Sequence, residues 1–421
     1  MWASIKRLWK TEDLRNSILF ILFVLVIFRL AAHITVPGID ASGVSALINS
    51  NQFLGLLNVF SGGTIANFSL VALGVSPYIT ASIIVQLLGM IFPSVEEMQK
   101  EEQGRQKLNR WTRYAVIPFA LIQGYGLLNL LGSSGGVAAF GLSPIEIAFA
   151  LISMTAGTVF LMWLGELISE RKVGNGISIL IIAGIIASFP SFLQQTILTY
   201  DTSQLFNIIL FVVLTLVTVV TVVVVNEGQR KIPVQYARGV RGSAGSAAIS
   251  HLPMRINMGG MIPIIFAISL MVFPPLIAQF FLAAKSSAIR AASEFVLELF
   301  GNSWFYGVLY FLLVFGFTFF YASIVFKPDT IAENLQKQGA FVPGIRPGKH
   351  TEDYLNFVKN RILLTGATFL GVIAVLPLIV QEITGSQNLI VGGSSILILV
   401  AVVIDMIKQI ESQMAMRNYE I

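Results

Sequence analysis

The sequence predicts an all-α polytopic membrane protein, and three observations carry that prediction. Apolar residues make up 55% of the 421 and charged residues only 12%, about half the roughly 25% charged share of a soluble domain. Long uncharged stretches recur along the whole chain, and a hydrocarbon core needs about 20 apolar residues per helix. Lys and Arg gather in alternate connecting segments, as cytoplasmic loops do under the positive-inside rule. Cysteine is absent, which excludes a disulfide scaffold, cysteine-held metal and thiol nucleophiles.

Ten long helices are read in order. The first spans about Asn16–Ala32. With no A-x-A site at its end and nine spans after it, it reads as a retained anchor. The second covers about Val75–Pro93. The others are roughly Tyr114–Leu131, Ile147–Leu164, Ile177–Ile197, Phe206–Val225, Gly260–Phe281, Trp304–Val325, Ile362–Val380 and Leu389–Ile404. With both termini cytoplasmic, 24 of the 27 Lys and Arg fall inside. Lys285 and Arg290 are outside, and Arg29 lies near the outer end of the first span. The acidic residues divide 16 to 6, a weaker bias, as expected of a rule that Lys and Arg dominate.

Two cytoplasmic loops, about 226–257 and 326–361, are longer than a chain reversal needs. Their positive charge suits anionic lipid heads and nucleic-acid phosphates alike, and retention on the inner side accounts for charge by itself. Their length and their Pro and Gly content favour an ordered, protruding platform. The amino end places Trp2, Ile5, Leu8 and Trp9 on one helical face, with Lys6, Arg7 and Lys10 opposite or flanking. That pattern predicts an interfacial helix on the inner leaflet.

No charge occurs between Asp40 and Glu96. Gly62, Gly63 and Gly74 punctuate this stretch, and Pro77 starts a fresh helical pattern. Phe60–Ala72 is too short to span at about 1.5 Å per residue. Two readings are open: a half-depth helix lodged against protein or a cavity, and an apolar external loop on the bundle surface. Val173-Gly-Asn-Gly-Ile-Ser opens a helix that Asn175 or Ser178 caps. Val391-Gly-Gly-Ser-Ser-Ile opens the last span. The ten spans divide into five and five after about Ile197. An odd-numbered half must repeat upside down, the inverted-repeat pattern of transporters. The internal sequence symmetry is faint, so this is a geometric possibility.

After Arg29 the helix interiors hold almost no ionisable group. Glu166 and Asp405 sit at inner ends, where a charge reaches water. There is no G-x-S-x-G, no H-E-x-x-H and no P-loop, and His33, His251 and His350 are scattered. Neither catalysis, a metal nor a cofactor is expected. A chain of this kind supplies a path, and a soluble partner supplies the energy. The competing readings are an inverted-repeat secondary transporter of a small solute and an intramembrane enzyme. The first needs a paired ionisable site at mid-membrane, the second a reactive constellation, and neither is found.

Several long motifs then stand out: Phe60-Ser-Gly-Gly, Pro77-Tyr-Ile-Thr-Ala-Ser-Ile-Ile-Val-Gln-Leu, Gly157-Thr-Val-Phe-Leu-Met-Trp-Leu-Gly-Glu, Gly174-Asn-Gly-Ile-Ser, His251-Leu-Pro and Gly339-Ala-Phe-Val-Pro-Gly-Ile-Arg-Pro-Gly. From the first span to Tyr419 the chain resembles the bacterial SecY family, the central channel subunit of the Sec protein translocase. The resemblance implies two pseudo-symmetric inverted five-helix halves, 1–200 and 201–421, around an hourglass pore. It implies an aliphatic ring at the waist from Val75, Ile79, Ile181, Ile265 and Ile398, with Val75 where many relatives carry Ile. A short plug helix at about 57–70 would use Phe60, Gly62, Gly63, Ala66 and Phe68. A lateral gate would lie between the second and third helices and the seventh and eighth. The long loops would form the platform for partners, with Arg230 and Lys231 at a basic tip position and Arg238, Arg346 and Lys349 beside them. The partners implied are SecE-type and SecG-type small membrane subunits, the SecA motor ATPase, the ribosome through its rRNA, and signal sequences and nascent polypeptides. Anionic lipids join them on charge. The implied location is the bacterial plasma membrane, and the implied function is polypeptide translocation and lateral membrane insertion.

Overall fold

The computed structural model describes residues 12–36, 58, 61–133, 143–198, 205–236, 249–282, 286–384 and 388–417. The amino-terminal interfacial helix, Phe60 and Arg238 lie outside the described residues. Helices α1 (Glu12–Ala31), α2 (Ser76–Ile91), α4 (Glu102–Ser133), α5 (Pro144–Glu170), α6 (Gly176–Leu198) and α7 (Leu205–Glu227) cover the first six predicted ranges. Helices α8 (Ile262–Phe281), α10 (Ser303–Val325), α12 (Lys349–Thr384) and α13 (Asn388–Arg417) cover the other four. Among the described residues, five helical stretches are long and apolar enough to cross a bilayer. They become six if α2 and α3 (Pro93–Lys100), bent by 115° at Phe92, count as one broken span. The short α9 (Ser287–Gly301) and α11 (Pro328–Lys337) stand outside the predicted ranges.

Local chemistry sets the helix ends. Pro77 stands in the first turn of α2, where a missing N–H costs nothing. Ser143 and Glu146 form a reciprocal capping box on α5, satisfying two otherwise orphaned donors. Asn175, rather than Ser178, caps α6: its Oδ1 accepts from the amides of Ile177 and Ser178 at 3.0 and 3.3 Å. Asn302 caps α10 through the amides of Trp304 and Phe305.

The helices pack in two groups. Helix α1 lies against α5 and α6, α2 against α4, and α5 joins α4 to α6. In the second group α8 and α12 flank α10, and α13 packs on α7 and α12. The groups meet along two seams, α8 against α4 and α2, and α13 against α6. One buried apolar cluster runs through both groups. Glu166 pairs with Arg113 across α5 and α4 at 2.8 Å and is partly exposed.

The expected all-α membrane fold stands, and the two long loops add a small sheet to it. Strands β1 (Gln229–Tyr236), β2 (Ile249–Arg255) and β3 (Ala340–Phe341) form a sheet in the order β2-β1-β3, with both pairings antiparallel. The first loop supplies β1 and β2, the second β3. Ile232, Met254, Val342, Leu355 and Val358 make a second small core beneath the sheet. The cause is the alternation along β1, where Ile232 and Val234 point inward between exposed neighbours. Lys349–Arg361, assigned to the second loop, is the start of α12.

The expected short helix at 57–70 lies partly outside the described residues; within it Asn58 and Ser61 are helical, and from Gly62 to Val75 the chain runs in turns and bends. Gly62, Gly63 and Gly74 have φ of 79°, 79° and 58°, and Phe68 has φ of 42°, left-handed values that interrupt a right-handed helix. The Thr64 hydroxyl lies 2.9 Å from both Ser61 O and Val71 O. Side-chain bonds of this kind compete with helical ones.

Candidate functional site

The five aliphatic positions come from four helices. Val75 precedes α2 and Ile79 lies within it; Ile181 is on α6, Ile265 on α8 and Ile398 on α13. They are separated by up to 323 residues in sequence, yet the fold brings them into one apolar cluster. Each is between 1% and 5% exposed. Val75, Ile79 and Ile181 belong to one packing group, and Ile265 and Ile398 to the other. The carbonyls and amides of these helices are internally paired, so the side chains present uncharged hydrocarbon.

The turn segment packs into the same cluster. Ile65 and Phe68 are each 1% exposed, and Ala66 packs against the cluster's edge. Gly62 lies against Gly184 of α6 and Phe28 of α1. The segment is held at several points. Arg29 Nη1 donates to Gly62 O at 3.3 Å. The Val36 amide donates to Phe68 O at 3.0 Å and the Leu70 amide to Ile34 O at 2.7 Å, around a bridge between Thr35 and Ser69. Bonding on both sides of Phe68 holds its backbone in a conformation that a bulky residue rarely adopts. Gly157 of α5 lets Leu70 O approach, since a Cβ there would stand 2.0 Å from that oxygen.

The seam between α4 and α8 joins the third and seventh predicted helices, where the resemblance implies a lateral gate. Phe119 meets Phe273 edge-on at 5.7 Å, and Tyr125 meets Phe280 at 5.0 Å. A Cβ on Gly126 would stand 2.7 Å from Leu276 O, so the two helices touch closely. Pro274 and Pro275 lie inside α8 and remove backbone donors from its ladder. Gln123 Nε2 donates to Thr80 Oγ1 at 3.2 Å, linking α4 to α2 in a buried setting. Uncharged polar residues amid long apolar runs were the available signal for this pair.

On the platform that the two long loops form, Arg230 and Lys231 are exposed at the start of β1, opposite Met254 and Pro253. That is the root of the β1–β2 hairpin, which corrects the expected tip position. The connection at 237–248, which carries Arg238, is outside the described residues. Arg346 is exposed in the turn after β3, between Gly344 and Gly348 at φ of 80° and 93°. The Ile345 amide donates to Val342 O at 3.0 Å, and Thr351 Oγ1 donates to Arg346 O at 3.0 Å. The backbone is thereby fixed while the guanidinium faces solvent. Lys349 is exposed at the first turn of α12.

The SecY family profile matches residues 69–407 of this chain. The protein translocase subunit SecY of Streptomyces galbus is 42% identical over 439 residues, covering 100% of this chain and 99% of that one. Two solved structures share the fold. One, in which the plug domain of the SecY protein is described as stabilizing the closed state of the translocation channel, superposes with a TM-score of 0.63 at 20% identity. It covers 93% of this chain and 90% of that one. The other, Sec61 in the canine ribosome-channel complex from the endoplasmic reticulum, has a TM-score of 0.59 at 18% identity, with 93% and 90% covered. The chain belongs to the SecY family.

Proposed function

We propose that the chain passes extended polypeptides between its two helix groups, past an aliphatic collar at Val75, Ile79, Ile181, Ile265 and Ile398, with the 61–74 turns as a displaceable plug. The chain is a protein-conducting channel subunit and not an enzyme, and it is a multi-pass membrane protein. This proposal is supported by five uncharged side chains from four helices lying buried in one apolar cluster that runs through both helix groups. A hydrocarbon collar is hard to wet and therefore resists ions, and it holds no chemistry that would reject a particular peptide sequence.

The ten-span topology, with both termini cytoplasmic in a bacterial plasma membrane, rests on the Lys and Arg distribution. The halves 1–200 and 201–421 rest on the two packing groups and the two seams between them. The seam of α4 and α2 against α8, with α10 behind it, is the route by which a signal sequence or apolar segment leaves for lipid. Transfer then gains roughly 25 cal/mol per Å² of apolar surface. The platform receives soluble partners, a SecA-type motor and the ribosome. Arg230, Lys231, Arg346 and Lys349 would meet carboxylates or rRNA phosphates, an arginine fork suiting both. Small SecE-type and SecG-type subunits and anionic lipids complete the assembly.

Reconstitution tests the reading. Vesicles holding the chain, its small subunits and a motor ATPase should protect an unfolded secretory polypeptide from external protease when ATP is present. Vesicles that take up a small solute along an ion gradient, and protect no polypeptide, would point to a secondary transporter.

A further inference from the structure

Helix α6 carries two features on one face. Ile181 and Gly184 are three residues apart, and Ser188 follows one turn outward, so the three lie in line. Gly184 is buried against the turn at Ser61–Gly63. A Cβ on Gly184 would stand 2.1 Å from Gly62 Cα, 3.0 Å from its carbonyl carbon and 3.2 Å from its oxygen. In the other direction, a Cβ on Gly62 would stand 3.0 Å from Gly184 Cα and 3.1 Å from Phe28 Cζ. One turn outward, a Cβ on Gly63 would stand 2.7 Å from Ser188 Oγ, and the Ser188 hydroxyl donates to Gly184 O at 2.9 Å.

The two facing glycines are not equivalent. At φ of 79° Gly62 occupies a conformation that favours glycine, so any substitution there mixes backbone strain with crowding. Gly184 lies inside α6, where alanine is the better helix former. Its missing side chain does nothing for the helix and serves the contact alone.

We propose that Gly184 seats the 61–63 turn on α6 and couples it to Ile181, so that a polypeptide displacing α6 at the collar unseats the turn. The inference rests on the collar and plug reading given above. Because both partners in the contact are backbone, it has no side-chain slack. A gap of about 0.5–1 Å already forfeits roughly a quarter to a half of a van der Waals attraction. A small outward movement of α6 therefore loosens the 61–63 turn at this contact, with Arg29 still holding Gly62.

The test uses the full chain with its small subunits. Two readouts serve: resting ion conductance in planar bilayers, and labelling of Ser188→Cys from the outer side by a membrane-impermeant maleimide. Gly184→Ala should raise resting conductance about tenfold to a hundredfold, the range that overpacking a tight contact produces, and should speed labelling. Gly301→Ala, whose Cβ would meet nothing within 4 Å, should change neither. Should Gly184→Ala fail to accumulate in the membrane, the otherwise unsubstituted Ser188→Cys chain decides: an arrested polypeptide should speed its labelling. Conductance and labelling unaltered by Gly184→Ala, or labelling indifferent to an arrested polypeptide, would overturn the seat. Labelling in Gly184→Ala needs no transport, so loss of translocation by the unsubstituted chain would strike the channel reading separately.

Discussion

Ile181 and Ile186 are neighbours on α6, yet the first is 1% exposed and the second 54%. Only the fold separates them. Both are isoleucines within one uninterrupted apolar run, and hydropathy cannot tell a collar position from a lipid-facing one. The five collar positions were reached through resemblance and not through their own pattern. If they seal the channel, Ile181→Gly removes a whole buried side chain from the collar and opens a gap that water and ions can use. Resting conductance should rise without loss of membrane insertion, and an unchanged conductance would argue against a sealing role. Arg29 shows the reverse case. An arginine near the outer end of the first span was visible in the sequence, but its bond to Gly62 O required the turn segment to be in place.

The platform is the element in which sequence and structure differ most. Its β1 segment, Arg230-Lys-Ile-Pro-Val-Gln-Tyr, alternates inward and outward residues, a period-two pattern that marks a half-buried strand. The pairing of β1 with β3 joins residues 235 and 341, a contact that no local pattern encodes. Ile232 is 1% exposed in the small core beneath the sheet. Ile232→Ala should destabilise this unit by about 2–5 kcal/mol, the usual cost of emptying such a site. Hydrogen exchange of the β1 and β2 amides should accelerate, and binding of the motor ATPase should fall with it. Arg346→Glu should also impair motor-dependent export, but with β1 and β2 protection intact, because the Arg346 side chain faces solvent. Equal exchange in both variants would mean that the platform is not held by this core.

At the scale of the whole molecule, two helix groups meet along two seams, and the α4–α8 seam is closed by Phe119–Phe273, Tyr125–Phe280 and the Gly126–Leu276 approach. If apolar segments leave by this route, cysteines at 119 and 273 joined by a short bifunctional crosslinker should block insertion of a membrane helix. Crosslinked chains that insert it as fast as uncrosslinked ones would show that the exit lies elsewhere. The sequence by itself determined the membrane class and the ten helical ranges. Those properties depend on composition over about 20 neighbouring residues and need no distant partner. The tertiary structure alone decided that the chain turns after Ser61, that the two long loops share one sheet, and that five distant aliphatic residues lie in one buried apolar cluster. Each of these depends on contacts between residues far apart in the chain, where left-handed glycines, strand pairing and close backbone approach outweigh local preference.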